Sequence, residues 1–249
     1  MTSLPFAQFD SFTIPLILSV VTGFFTFLIV YIILKKASNR RNTILIIGLS
    51  DSGKTQIFSK IIRLDKKVKT YTSLQENIFN GKIESLPKDI TIVDFPGTLR
   101  LRSRLFSKWL TSECNTIKGI ILVIDSALFS KQSRDIAELL YDTLLKTQSS
   151  IDIFVACNKQ DIPFAKSKNA IKTTLEKDLG LINKSRAASL DTTDGTRRDE
   201  LLSQTEDNFK WEDLPFLNIT FDTTIADIEK DIDETIDIDP LVQWLTNLQ

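Results

Sequence analysis

Three features of the 249-residue chain predict an α/β fold: a mostly parallel sheet with helices on both faces, preceded by one transmembrane helix. Strand-like apolar runs alternate with helix-like stretches, the order that builds a parallel sheet. A glycine-containing loop joins the first such run to the next helix. Ahead of both lies a long stretch, Thr13 to Leu34, without a charged residue.

The uncharged stretch comes first in the chain. Its core reads Ile14-Pro15-Leu16-Ile17-Leu18 and then Phe24 to Leu34. About 22 residues at about 1.5 Å each give about 33 Å, enough to cross a hydrocarbon layer of about 30 Å. Pro15 falls in the first turn, where a missing N–H costs little. A cleaved leader needs a basic start and a shorter apolar run, whereas Met1 to Asp10 holds no Lys or Arg. A helix lying flat on a bilayer needs a charged face, and none is present. Lys35, Lys36, Arg40 and Arg41 follow the span, and Asp10 is the only charged side chain before it. The positive-inside bias therefore puts the C-terminal side in the cytosol. The expected division is a short luminal tail (1–12), the span (13–34), a basic juxtamembrane linker (35–41) and a globular domain (42–249). The basic cluster serves either as a topology signal or as a contact for anionic lipid heads.

The glycine-containing loop is Gly48-Leu49-Ser50-Asp51-Ser52-Gly53-Lys54-Thr55. It follows Ile44-Leu45-Ile46-Ile47 and precedes the helix-like Gln56 to Leu64. This is the phosphate-cradling pattern G-x-x-x-x-G-K-[ST] between a strand and a helix. Its glycines let consecutive N–H groups turn inward, and the helix N-terminus adds to their field. Lys54 is placed to reach terminal phosphates, and the Thr55 hydroxyl to coordinate Mg²⁺. A chance glycine turn would not need this setting.

Two further motifs follow in order. The strand-like Ile90 to Val93 ends in Asp94-Phe95-Pro96-Gly97. Asp94 is a candidate for Mg²⁺, directly or through water, and Gly97 can offer its N–H to a γ-phosphate. After the apolar run Ile151 to Cys157 comes Asn158-Lys159-Gln160-Asp161. A carboxylate at Asp161 can accept from both N1–H and the exocyclic amine of guanine, a donor pair adenine lacks. Each motif alone resembles an ordinary turn. All three in this order and spacing form the small-GTPase pattern, with GTP and Mg²⁺ as the expected ligands.

The rest of the domain follows the same alternation. Strands are expected at Thr43–Ile47, Lys82–Leu86, Ile90–Val93, Gly119–Ile124, Ile151–Cys157 and Phe216–Phe221, with Lys82–Leu86 antiparallel to Ile90–Val93. Helices are expected over Ser130–Lys146 and Lys166–Leu179, each with an apolar stripe at helical spacing. A last short helix begins at Pro240. Asn183 to Asp213 is polar and reads as a loop insertion. Asp222 to Asp239 is acidic: a solvated loop, or a docking surface for a basic partner. The ligand belongs at the carboxyl ends of the strands. A net charge of −1 gives no case for direct nucleic-acid binding. The chain has no histidine, which excludes histidine metal sites and histidine acid–base catalysis. Two cysteines, Cys114 and Cys157, suit a reduced compartment without a disulfide.

These residues resemble one family in particular, the beta subunits of the signal recognition particle receptor. Gly48 to Thr55 is close to that family's form of the loop, and Asp94-Phe95-Pro96-Gly97 to its D-[LF]-P-G. Val123-Ile124-Asp125-Ser126-Ala127-Leu128-Phe129 is similar to its V-D-S-A-x-F, with one extra Ile. Ala156 to Asp161, followed by Ala165-Lys166-Ser167, is close again. The resemblance covers about residues 40–182 and weakens from 183 onward.

It implies a fold near the ADP-ribosylation-factor class of small GTPases, anchored on the endoplasmic reticulum. It implies that the GTP-bound form holds the N-terminal domain of the receptor's alpha subunit through its switch segments. Ribosomes and the translocation channel are then indirect partners. By the same resemblance, Gly48 to Thr55 bind the phosphates, and Asn158, Lys159 and Asp161 the base. Thr72, with Ser73 as rival, is the first-switch hydroxyl on Mg²⁺, beside Thr55 and Asp94. The last base-contacting loop falls near Asp222-Thr223-Thr224, with Thr223 as the candidate contact, where the usual pattern is missing. After Gly97 the family often carries His and other GTPases Gln to position water; here Thr98 stands there, which implies slow intrinsic hydrolysis. The alternative is a GTPase of vesicle traffic held by a helix in place of a lipid.

Overall fold

The computed structural model describes residues 13–38, 41–62, 73–83, 89–147, 151–191, 201–203, 209–214, 218–226 and 238–248. Side chains in the first helix are described over 18–31. The chain divides into two units, Met1–Arg40 and Arg41–Gln249.

In the first unit, α1 (Thr13–Ser38) is a helix of 26 residues. Apolar residues occupy all its sides, so no face is set aside for water. Its described large side chains are exposed, Phe24 at 65% and Phe27 at 72% among them. The hydroxyls of Thr22 and Thr26 donate to carbonyls of the preceding turn, which removes their need for outside partners. Among the described residues no helix is long and apolar enough to cross a membrane. The transmembrane reading of 13–34 therefore rests on the sequence.

The second unit is a six-stranded sheet in the order β2-β3-β1-β4-β5-β6. The strands are β1 (Thr43–Gly48), β2 (Asn77–Gly81), β3 (Ile90–Asp94), β4 (Ile117–Asp125), β5 (Asp152–Asn158) and β6 (Ile219–Thr223). Only β2–β3 is antiparallel; the other pairs run parallel. The central strands are unbroken apolar runs because both faces are buried. One face, with Leu45, Leu122 and Val155, packs on α4 (Phe129–Lys146) and α5 (Lys168–Asp191). The other, with Ile44, Ile121 and Phe154, packs on α2 (Lys54–Ile61) and α6 (Asp239–Asn247). Trp244 of α6 lies on Phe154, ring centroids 5.3 Å apart.

Four features differ from the sequence expectation. The strand paired with β3 is Asn77–Gly81, not Lys82–Leu86; residues 84–88 lie outside the described residues. It is a half-exposed edge strand of Asn, Ile, Phe, Asn and Gly, so backbone pairing rather than apolar content defines it. The last strand begins at Ile219 instead of Phe216, with 215–217 outside the described residues. Helix α5 runs on to Asp191, so the start of the expected loop at 183 is helical. Its extension is fastened to α4: the Tyr141 hydroxyl donates to Asn183 Oδ1 at 2.8 Å, and Arg186 pairs with Asp142 at 2.7 Å. Residues 192–200 and 204–208 of that loop lie outside the described residues.

The fourth difference is a composite helix absent from the expected elements. A 3₁₀ turn (Leu99–Leu101) leads through α3 (Arg102–Arg104) into π-helical turns over Leu105–Ser112. The Glu113 N–H donates five residues back, to the Lys108 carbonyl at 2.9 Å. Widening to the π register turns Leu105, Trp109 and Leu110 inward together.

Candidate functional site

The three motifs meet at the carboxyl rim of the sheet, as expected for a parallel α/β sheet. β1 delivers the first loop, β3 delivers Asp94 and Gly97, and β5 delivers Asn158 to Asp161. They surround a cleft of about 190 Å³ lined by Ser50, Asp51, Lys54, Thr55, Ser73, Asp94, Gly97 and Lys159, with four more residues.

The first loop is held open by its backbone. Gly53, at φ 95°, lies in the left-handed region that glycine adopts without strain and caps α2. A Cβ there would stand 2.3 Å from Asn158 Nδ2. Lys54 Nζ donates to the Leu49 carbonyl at 2.6 Å, which leaves two of its N–H groups for phosphate oxygens. Burial lowers the Lys54 ammonium to a pKa of about 8, against the opposing pull of Asp94 and Asp51. A buried cation so poorly compensated favours an anion beside it.

Thr55 Oγ1 and Asn77 Nδ2 donate to Asp94 Oδ2, at 2.8 and 3.0 Å. Asp94 Oδ1 is buried with no hydrogen-bond partner. Burial pushes the Asp94 carboxyl above its ordinary value, although Thr55, Asn77 and Lys54 oppose the rise. An orphaned carboxylate oxygen next to a threonine hydroxyl is a hard-oxygen donor set that fits Mg²⁺. Gly97 presses on the first loop: a Cβ on it would meet Leu49 C and Ser50 N, both at 2.5 Å. The second motif thus rests directly on the phosphate loop.

The third motif is tied to the first. Asn158 Nδ2 donates to the Ser52 carbonyl at 2.9 Å. Lys159 Nζ donates to the Asp51 carbonyl and to Asp125 Oδ2, each at 2.7 Å. Asp161 is half-buried, and no described residue engages its carboxylate. Its acceptors are therefore free to face donors from a base.

Of the remaining sequence-predicted residues, Thr72 lies outside the described residues, while its neighbour Ser73 lines the cleft. Thr223 ends β6 beside Cys157. It is the next residue, Thr224, fully buried, whose hydroxyl donates to Asn158 Oδ1 at 3.3 Å. The Ala226 N–H reaches the same oxygen at 3.2 Å. Thr98 lines a small neighbouring cleft with Ile47, Leu49, Leu105 and Leu139, which shares Phe95, Pro96 and Gly97 with the larger one, and it is not among the residues lining the larger cleft. Asn77 on Asp94 went unread in the sequence, whereas Thr224 and Asp125 were read only as members of the Asp222–Thr224 loop and the Val123–Phe129 run, without their partners Asn158 and Lys159. Asn77 carries no motif signal.

The sequence pattern of the signal recognition particle receptor beta subunit family matches residues 39–217. The human signal recognition particle receptor subunit beta is 30% identical over 244 residues, covering 95% of this chain and 88% of that protein. The solved structure of the mammalian SRP receptor is 28% identical with a TM-score of 0.68, covering 83% of this chain and 100% of that chain. The SRb-GTP/SRX complex from Chaetomium thermophilum shares the fold, with a TM-score of 0.63 and 21% identity over 82% of this chain and 97% of that one. A phosphate loop braced by Gly97 and Asn158 is thus set in a sequence that matches over most of its length, and the chain belongs to the signal recognition particle receptor beta subunit family.

Proposed function

We propose that the chain binds GTP with Mg²⁺ and, in that state, holds the alpha subunit of the signal recognition particle receptor at the endoplasmic reticulum membrane. One observation carries the nucleotide reading: an anion-seeking Lys54, a magnesium-type pair Thr55 and Asp94, and a free Asp161 carboxylate gather at a single sheet rim. In this reading Gly48 to Thr55 hold the phosphates, and Thr55 and Asp94 hold the metal with a first-switch hydroxyl from Thr72 or Ser73. Asn158, Lys159 and Asp161 hold guanine. Bound Mg²⁺ supplies charge neutralisation between phosphates. The partner reading is supported by family membership and by a relative solved with GTP and SRX.

Anchoring is supported by 22 uncharged residues from Thr13 to Leu34 and by helical backbone over all of them. The basic residues after the span support a cytosolic domain and a luminal start. Turnover by the chain alone is slow in this reading, because Thr98 is short and lines the small apolar cleft rather than the phosphate cleft.

Calorimetry on the detergent-solubilised chain with Mg²⁺ tests the first half: GTP and GDP bind, and ATP binds at least about 100-fold more weakly. Equal affinity for guanosine and adenosine nucleotides would refute it. Retention of the purified alpha-subunit N-terminal domain by GTP-loaded but not GDP-loaded chain tests the second half. A traffic GTPase would retain it in neither state.

A further inference from the structure

The run Val123-Ile124-Asp125-Ser126-Ala127 closes β4 at the same rim, yet none of it belongs to the three nucleotide motifs. Its carboxylate, Asp125, is 3% exposed. Oδ1 accepts the backbone N–H groups of Ala127 and Leu128, at 2.9 and 3.0 Å, and so shapes the turn into α4. Oδ2 is left over from that turn, and it takes Lys159 Nζ at 2.7 Å. The same ammonium donates to the Asp51 carbonyl. Lys159 itself sits at φ 63°, in the left-handed region where a lysine is strained. A buried carboxylate needs a cation, and the cation within reach belongs to the base loop. One ammonium therefore joins the end of β4, the phosphate loop and the Asn158–Asp161 loop.

We propose that Asp125 is a positioning residue for guanine-nucleotide retention: by fixing Lys159 it locks the base loop onto the phosphate loop. This rests on the reading that the site binds guanine nucleotide. Asp125 touches no ligand atom in this scheme. Its effect passes entirely through Lys159, which separates it from a residue that merely shapes a turn. A turn-shaping role needs only the Oδ1 acceptor; a positioning role needs the charge on Oδ2.

The test uses the full chain in detergent, loaded with a fluorescent GDP analogue and chased with excess GDP. Asp125→Asn keeps an acceptor for both turn N–H groups and removes the charge. Release should quicken by about 10-fold to 100-fold, the range for losing a charged hydrogen bond, with the association rate within about twofold of wild type. In a Lys159→Met background the same substitution should add nothing, since its target is gone. Should Asp125→Asn fail to fold, Asp125→Ser supplies a hydroxyl acceptor for the turn and carries the same expectation. Unchanged release, or an equal acceleration in both backgrounds, overturns the positioning role and leaves nucleotide binding intact. If the wild-type chain itself retains no guanosine nucleotide, the underlying functional reading fails, and the positioning role with it.

Discussion

Gly97 shows how little slack the site holds. Its Cα faces the backbone of Leu49 and Ser50 so closely that a methyl group would fall 2.5 Å from each. Backbone cannot rotate aside as a side chain can, so one loop must move. Gly97→Ala should weaken GDP affinity by about 10-fold or more, read by calorimetry, because the phosphate loop itself is displaced. An affinity within about twofold of wild type would mean that the two loops yield independently. The sequence marks Gly97 through its motif, as an N–H donor toward a phosphate; its close approach to Leu49 and Ser50 is seen only in the structure. Asn77 was not legible, and Thr224 was legible only as part of the Asp222–Thr224 loop, not as a partner of Asn158. Each is an unremarkable polar residue in its local context, and only strand pairing brings it to Asp94 or Asn158.

At the scale of elements, Glu76 fastens the edge strand to the composite helix. Its carboxylate takes Lys108 Nζ at 2.5 Å, Trp109 Nε1 at 2.8 Å and Arg104 at 3.3 Å. Burial raises its pKa, but the hydrogen bonds from Lys108 and Trp109 and the nearby cations outweigh that, and the net value lies below the ordinary one. A carboxyl depressed in the folded state contributes stability above its unfolded pKa of about 4.3, and loses it as pH falls through the folded value. Glu76→Gln should therefore cost about 1–2 kcal/mol at pH 7 in denaturant unfolding. That deficit should shrink as the pH drops below about 4. A deficit independent of pH would assign the effect to packing and not to charge. The helices α4 and α6 were readable from apolar spacing and a leading proline. The composite helix went unread although Leu101, Leu105 and Trp109 recur every four residues, and that spacing does not announce the passage from 3₁₀ to π turns. The far half of α5 was hidden for another reason: its polar residues face α4 through Tyr141 and Asp142 instead of through an apolar stripe.

For the whole molecule, the mostly parallel sheet follows from the alternation of strands and helices, which the sequence displays plainly, while the strand order β2-β3-β1-β4-β5-β6 is seen only in the structure. The proposed membrane attachment assigns the anchor to α1, a helix with no polar side. On expression in microsomes, the chain should resist alkaline carbonate extraction, and added protease should digest the domain from 42 onward. Removing residues 1–38 should send the domain to the supernatant. Recovery of the intact chain in the carbonate supernatant would count against a spanning helix.

The direction of β1 has a last consequence. Thr43 opens the strand and Gly48 closes it, so the polypeptide enters the sheet at one rim and the three motif loops crown the other. Six residues at about 3.3 Å each put about 20 Å between those rims. Asn42 therefore enters the sheet at the rim remote from the cleft, pinned there by hydrogen bonds with Thr116 and Thr91, so a substitution at that residue leaves the hydrogen bonds of the motif loops untouched.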